Sequence, residues 1–246
     1  MKVIFLGTGE AFDENYLNNS SLVITGKTKL LLDCGMTTPY QLWKYNNDQN
    51  LLDAVYISHS HADHYFGLPA LLVRMWEEKR KKPITVFSQK GLEKKIKDLM
   101  EMGYKGCKKK LSFKINFKEL DQGQIVKFKD LSLSIAKGKH SISNFAIRIE
   151  NNKKILCYSG DGTFTKNTKK LYKDADLLIH EAYLYDKKEI GHARIIDLIK
   201  VAERNNVKCL ALTHIDRKLR KGLTKRKIHS KKVNIKVPNN FKKIII

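Results

Sequence analysis

The stretch YISHSHADHYFGLP, residues 56 to 69, places His59, His61, Asp63 and His64 within six positions. Neutral imidazole and carboxylate are the ligands that zinc and similar divalent ions select. A single histidine after a strand is ordinarily a polar loop residue, whereas a cluster spaced H-x-H-x-D-H points to metal binding. The other histidines of the eight stand apart: His140, His180, His192, His214 and His229. His140 follows LSLSIAKGK, His214 closes CLALTH, and Asp161 ends KILCYSGD. Side chains at strand ends converge on one edge of an open α/β arrangement, where ligand and metal sites form. Three clustered histidines, two more from separate strand ends and two aspartates suffice for two metal ions. His180 reads as a structural residue at a strand end, and His229 receives no role.

These groups need a scaffold, and the hydrophobic pattern supplies one. KVIFLG, SLVIT and KLLLDCG read as strands, PYQLWKY as a helix and AVYIS as the buried strand that delivers the cluster. Apolar residues at Leu68, Leu71, Leu72, Met75 and Trp76 keep helical spacing over 68–80, so the cluster lies in a strand-to-helix turn. ITVFS is a strand and GLEKKIKDLMEM an amphipathic helix with a basic outer face. LSFKINFKEL, QIVKF and LSLSIA alternate as half-buried antiparallel strands do. NFAIRIE and KKILCYSGD form a hairpin with the turn NNKK. ADLLIH, a helix from His192 to about Asn205, VKCLALTH and a short helix after Asp216 follow. The basic run at 217–232 reads as solvated surface or as a contact for a polyanion, ahead of two edge strands, VNIKV and FKKIII. Gly7-Thr8-Gly9 lacks the third glycine of the dinucleotide fingerprint and reads as a tight turn.

The 246 residues, 42% hydrophobic, can bury one large α/β domain, so a single domain over 1–246 with a basic C-terminal segment 217–246 is expected. Nothing approaches the roughly 20 uninterrupted apolar residues of a membrane helix. The apolar start VIFLG is too short for a secretory signal, and a soluble cytoplasmic protein is expected. Four scattered cysteines, Cys34, Cys107, Cys157 and Cys209, form no C-x-x-C pair and argue against a zinc ribbon or a disulfide framework. The net charge of +23 favours polyanionic partners, although a proteome-wide lysine bias would produce the same balance.

H-x-H-x-D-H after a strand, a later lone histidine, a Gly-Asp after a strand and a final Thr-His resemble the metallo-β-lactamase superfamily, over nearly the whole chain. The resemblance implies a four-layer αββα sandwich with a dinuclear metal site at one edge. It implies that His59, His61 and His140 hold one ion, that Asp63, His64 and His214 hold the other, and that Asp161 bridges them. The ions, zinc with manganese or iron as alternatives, would acidify a shared water and clamp the attacked group, with Asp63 orienting the water. GTGEAF, NNSSLVI, LLDCGMTTPYQL, ADLLIHEA and GHA are similar to ribonuclease Z. That likeness implies that Glu181 holds His192, which protonates the leaving oxygen of a phosphodiester. The chemistry agrees, because a 3′-alkoxide leaves poorly and a carboxylate-paired imidazolium can supply its proton.

Ribonuclease Z proteins carry a long arm for the transfer-RNA elbow between the lone histidine and the Gly-Asp. Here 20 residues separate His140 from Asp161, and Gly162 intervenes where that family reads Asp-Thr. The expected activity is therefore a metal-dependent phosphodiesterase or endoribonuclease acting on RNA, including transfer-RNA 3′ trailers. A small phosphodiester such as a cyclic nucleotide, or an acyl substrate such as a lactone or thioester, is the alternative. A homodimer is expected by family analogy.

Overall fold

Strand β1 (Lys2–Gly7) sends Val3 and Phe5 to one side and Ile4 and Leu6 to the other, and all four are fully buried. A strand covered on both faces belongs to an inner layer. The computed structural model describes residues 1–187, 189–223 and 228–246, and shows two such layers.

The first half of the chain continues with β2 (Ser20–Ile24), β3 (Lys29–Leu32), α1 (Thr38–Tyr45), β4 (Ala54–Ile57), α2 (Ala62–Tyr65), α3 (Leu68–Glu77), β5 (Ile84–Gln89), α4 (Leu92–Gly103) and β6 (Ile115–Leu120). The second half holds β7 (Val126–Phe128), β8 (Leu131–Lys137), β9 (Phe145–Asn151), β10 (Lys154–Tyr158), α5 (Lys166–Leu171), β11 (Leu177–Glu181), α6 (Ile195–Arg204), β12 (Cys209–Thr213), α7 (Arg217–Gly222), β13 (Asn234–Lys236) and β14 (Lys243–Ile245). One sheet runs β14-β1-β2-β3-β4-β5-β6 and the other β13-β12-β11-β10-β9-β8-β7. Val3, Phe5, Leu30 and Tyr56 of the first meet Leu133, Ile147, Leu156 and Ile179 of the second in a shared core. Ile4, Val55 and Ile57 face outward under α1, α3 and α4, and Leu178, Leu210 and Leu212 under α6. The result is the expected four-layer αββα sandwich.

The helices form for local reasons. Pro39 and Pro69 stand in the first turns of α1 and α3, where a missing N–H costs nothing. Leu68, Leu71, Leu72 and Met75 then bury one stripe of α3, and Leu92, Ile96 and Met100 do so for α4. Strands β3 to β6 run parallel, as do β10 to β13. Their C-terminal ends therefore lie at one edge of the sandwich, where the loops carry the candidate residues.

Four expectations need correction. Strand β6 pairs with β5 in parallel register, Ile84 opposite Ile115, because helix α4 returns the chain to the same edge before the strand begins. The helix from Leu68 stops at Glu77, and Lys79 takes a left-handed φ of 63°. Arg80 turns inward from there, fully buried, and donates to the carbonyls of Lys82, Gln49, Leu52 and Pro83. The helix expected from His192 begins at Ile195, because Arg194 is its extended N-cap and His192 is drawn into the site below. In the basic run, Arg220 is buried and donates to Thr8 O, Thr8 Oγ1 and Pro238 O, so it staples the C-terminal segment to the loop after β1 and cannot meet a polyanion. Residues 224–227 of that run lie outside the described residues. The four cysteines are free thiols, and among the described residues no helix is long and apolar enough to cross a membrane.

Candidate active site

Every sequence-predicted ligand reaches the same edge. His59 follows β4, Asp63 and His64 sit in the single turn of α2, His140 lies beyond β8, Asp161 beyond β10 and His214 directly after β12. His214 and Asp33 adopt φ of 50° and 56°, a left-handed turn that costs non-glycine residues roughly 1–3 kcal/mol and recurs at functional sites. Glycines flank Asp161 because neighbours press close. A Cβ on Gly160 would come within 2.6 Å of Ser58 Cβ, and one on Gly162 within 2.6 Å of Lys139 O. With its φ of 102° as well, position 162 admits only glycine without strain.

The donor atoms fall into two groups that share Asp161: His59, His61, His140 and Asp161, and Asp63, His64, Asp161 and His214, each within a 4.8 Å span. His64 Nε2 lies 3.2 Å from Asp63 Oδ2 and 3.3 Å from Asp161 Oδ1. His214 Nε2 lies 3.3 and 3.2 Å from the Oδ2 atoms of the same two aspartates. A tetrahedral ion with bonds of about 2.0–2.1 Å separates its ligands by about 3.3 Å, so these spacings fit. His59 Nε2, His64 Nε2 and Asp161 Oδ1 are buried with no hydrogen-bond partner, as ligands kept for a cation would be.

The opposite ring nitrogens are anchored. His64 Nδ1 donates to Asp33 Oδ2 at 2.7 Å and His140 Nδ1 to Gly191 O at 2.9 Å. Ser58 Oγ donates to Asp33 Oδ2 at 2.7 Å and accepts from His59 Nδ1 at 3.0 Å. Each anchor fixes the tautomer that leaves Nε2 free. Asp33 also accepts from Ser58 N at 2.7 Å and from Tyr158 Oη at 2.6 Å. In the sequence Asp33 stands in LLLDCG with only its place at a strand end to mark it. Ser58 and the Gly191 carbonyl left no such trace.

Burial and the neighbouring imidazoles hold His59 and His61 below the usual histidine range, so both are neutral donors. Burial opposes ionisation of Asp63 and Asp161, but His64 and His214 outweigh it and keep both carboxylates charged. Burial also disfavours the cationic form of His214, yet Asp161 and Asp63 raise it to about 9. An ion binding there would displace such protons.

Beside the donors stands a second arrangement. Glu181, fully buried at the end of β11, accepts from Gly162 N at 3.1 Å, Ala193 N at 2.8 Å and Tyr183 N at 2.9 Å. His192 Nδ1 lies 3.3 Å from Glu181 Oε1. The His192 ring stacks on Tyr183 at 4.5 Å between centroids and stands edge-on to His140 at 5.2 Å. Burial lowers the affinity of His192 for a proton, but the Glu181 contact and its charge prevail and leave the pKa raised. Nδ1 faces Glu181, so Nε2 is the atom free to meet a substrate. Sequence reading missed Tyr183, whose stacking depends on the loop between β11 and α6. His180 is buried beside Glu181, with Nδ1 donating to Glu181 O.

Residues 1–231 match the profile of the family described as anti-Pycsar protein Apyc1. The chain belongs to that family. This Apyc1-family chain is also 26% identical to the ribonuclease Z of Methanosarcina mazei, with 87% of each chain covered. It superposes on human tRNase Z, short form, with a TM-score of 0.83 at 26% identity, covering 100% of this chain and 99% of that one. The metallo-β-lactamase fold protein YhfI from Bacillus subtilis follows with a TM-score of 0.81 at 21% identity, covering 99% and 98%, a likeness of fold. The Apyc1-family sandwich is therefore a metallo-β-lactamase fold, and its centre is that of a metal-dependent hydrolase of the ribonuclease Z type.

Proposed function

We propose that the chain hydrolyses phosphodiesters of nucleotide size, with cyclic nucleotides as the substrate class. The observation that carries this reading is the Glu181–His192 pair set against the donor cluster. An alkoxide leaving from phosphorus needs a proton, and the carboxylate-held imidazole of His192 is placed to supply it. Substrate size follows from the chain between His140 and Asp161, which is spent on the β9–β10 hairpin. The arm that ribonuclease Z uses for a transfer-RNA elbow has no counterpart there.

His59, His61, His140 and Asp161 would hold one divalent ion, zinc with manganese or iron as alternatives. Asp63, His64, His214 and the shared Asp161 would hold a second. Two such ions supply Lewis acidity toward water and the phosphoryl oxygens. Asp63 accepts a proton from the attacking water and aims its oxygen at phosphorus. As the new P–O bond forms, the opposite ester P–O bond breaks, and His192 Nε2 gives its proton to the leaving oxygen. Glu181 keeps the imidazolium formed and directed throughout.

RNA is the second reading, favoured by the net charge of +23. The test offers metal-loaded protein a set of 3′,5′-cyclic nucleotides, bis(p-nitrophenyl) phosphate, a transfer-RNA precursor with a 3′ trailer and a generic lactone. Turnover of the cyclic nucleotides and the synthetic diester is expected. Trailer removal without cyclic-nucleotide turnover would transfer the assignment to RNA, and turnover of the lactone alone would refute phosphodiester chemistry.

A further inference from the structure

Next to the catalytic ring the fold leaves a cavity of about 330 Å³ whose walls include His192, Lys139, Thr163, Glu189, Arg194 and Asp197. That volume sits at the small end of ligand sites, about 300–1,000 Å³, and suits one nucleoside. Its charge balance is unlike that of the rest of the chain. Lys139 and Arg194 are matched by Glu189 and Asp197, and the His192 imidazolium by Glu181 behind it, so the walls come close to neutral on a protein carrying +23. A groove for a phosphate backbone would keep a cationic excess. Neutral walls that mix donors and acceptors suit an uncharged, hydrogen-bonding ligand.

Arg194 is committed within the wall. Its Nε donates to Asp197 at 2.6 Å and Nη1 to Asp186 O at 2.9 Å. The Lys139 ammonium meets no acceptor among the described residues, while its backbone exchanges two hydrogen bonds of 2.9 Å with Thr163. Lys139 is thus a rooted, unspent donor immediately before the ligand His140. Because His192 also lines the cavity, this space adjoins the group bonded to the oxygen that His192 protonates.

We infer that the cavity is the subsite for the uncharged ribose and base of the substrate nucleotide, with Lys139 as its specificity-determining contact. The inference rests on the phosphodiesterase reading above. Free nucleosides, which carry no phosphate, should therefore compete with substrate. The experiment uses metal-loaded protein with bis(p-nitrophenyl) phosphate as reporter, since that diester has neither ribose nor base.

Uridine and adenosine at millimolar concentration should inhibit competitively, and Lys139→Ala should raise their inhibition constants about tenfold, the worth of one charge-assisted hydrogen bond. The same change should lower the ratio of kcat/KM for a cyclic nucleotide to that for the reporter by a similar factor. Saturation-transfer NMR of uridine with the protein reads occupancy without turnover. An active enzyme that no nucleoside inhibits, or a Lys139→Ala variant that leaves the ratio and the inhibition constants unchanged, would overturn the inference. Absence of reporter turnover together with uridine saturation transfer would instead defeat the phosphodiesterase reading and leave the nucleoside site standing.

Discussion

Nδ1 of His192 stands 3.3 Å from Oε1 of Glu181, a carboxylate with no exposed surface that three backbone N–H groups hold in place. A buried anion so fixed favours a proton on the Nδ1 beside it, which leaves Nε2 as the nitrogen that can exchange a proton with substrate. His192→Ala should therefore slow cyclic-nucleotide hydrolysis by about 10²–10⁴-fold, the usual worth of a positioned proton donor. p-Nitrophenolate leaves without protonation, so kcat on bis(p-nitrophenyl) phosphate should fall far less. Steady-state kinetics on both substrates checks this, and equal losses would mean that His192 acts in binding instead.

Asp33 ties together elements from both sheets, since it accepts from Ser58, His64 and Tyr158. Asp33→Asn preserves shape but removes the charge and acceptor capacity that hold His64 with Nε2 free. Loss of such an outer partner typically costs 10–100-fold in metal affinity. Chelator competition should show that drop. A thermal melt run alongside separates it from unfolding, and unchanged affinity in a folded variant would refute the role.

How far sequence reading reached follows from where each constraint lies. His59, His61, Asp63 and His64 are legible because their spacing within one turn already brings them together. His140, Asp161 and His214 are legible because alternating apolar runs mark the strand ends that carry them. Asp33 was not, since its partners Ser58, His64 and Tyr158 lie on other elements and a place at a strand end does not by itself single it out. Tyr183 and the Gly191 carbonyl act through a loop whose path only the tertiary fold sets. The direction of β6 was missed for a different reason: a short alternating strand reads the same in parallel and antiparallel pairing, and helix α4 decides. Arg220 looked like one more cation of a basic run until the C-terminal segment folded over it.

Asp161 belongs to both donor groups, whereas Asp63 belongs to one. Asp161→Ala should leave fewer than one of two divalent ions per chain after gel filtration, and Asp63→Ala should keep about one, bound by His59, His61, His140 and Asp161. Inductively coupled plasma mass spectrometry gives the count. Equal stoichiometry in the two variants would show that the groups do not bind separately.

Far from the centre, Asp53 is 5% exposed and ion-paired to Lys82 at 2.7 Å and to Lys129, and it accepts from Lys29 N at 2.8 Å. Burial alone would raise its pKa, but Lys129, Lys82 and the Lys29 amide outweigh it and hold the carboxyl below the ordinary 3.8. The folded state thus binds this proton less readily than the unfolded chain does. Its stabilisation is complete above the unfolded value and disappears as pH falls through the lower folded one. Asp53→Asn should therefore cost about 1–3 kcal/mol at neutral pH, the loss of charge-assisted hydrogen bonds. For a chain of this size that is roughly 2–12 °C in Tm. The gap between variant and wild type should shrink only below about pH 4, where thermal melts across a pH series would follow it. A gap that closed between pH 7 and 5 would assign the effect to some other group.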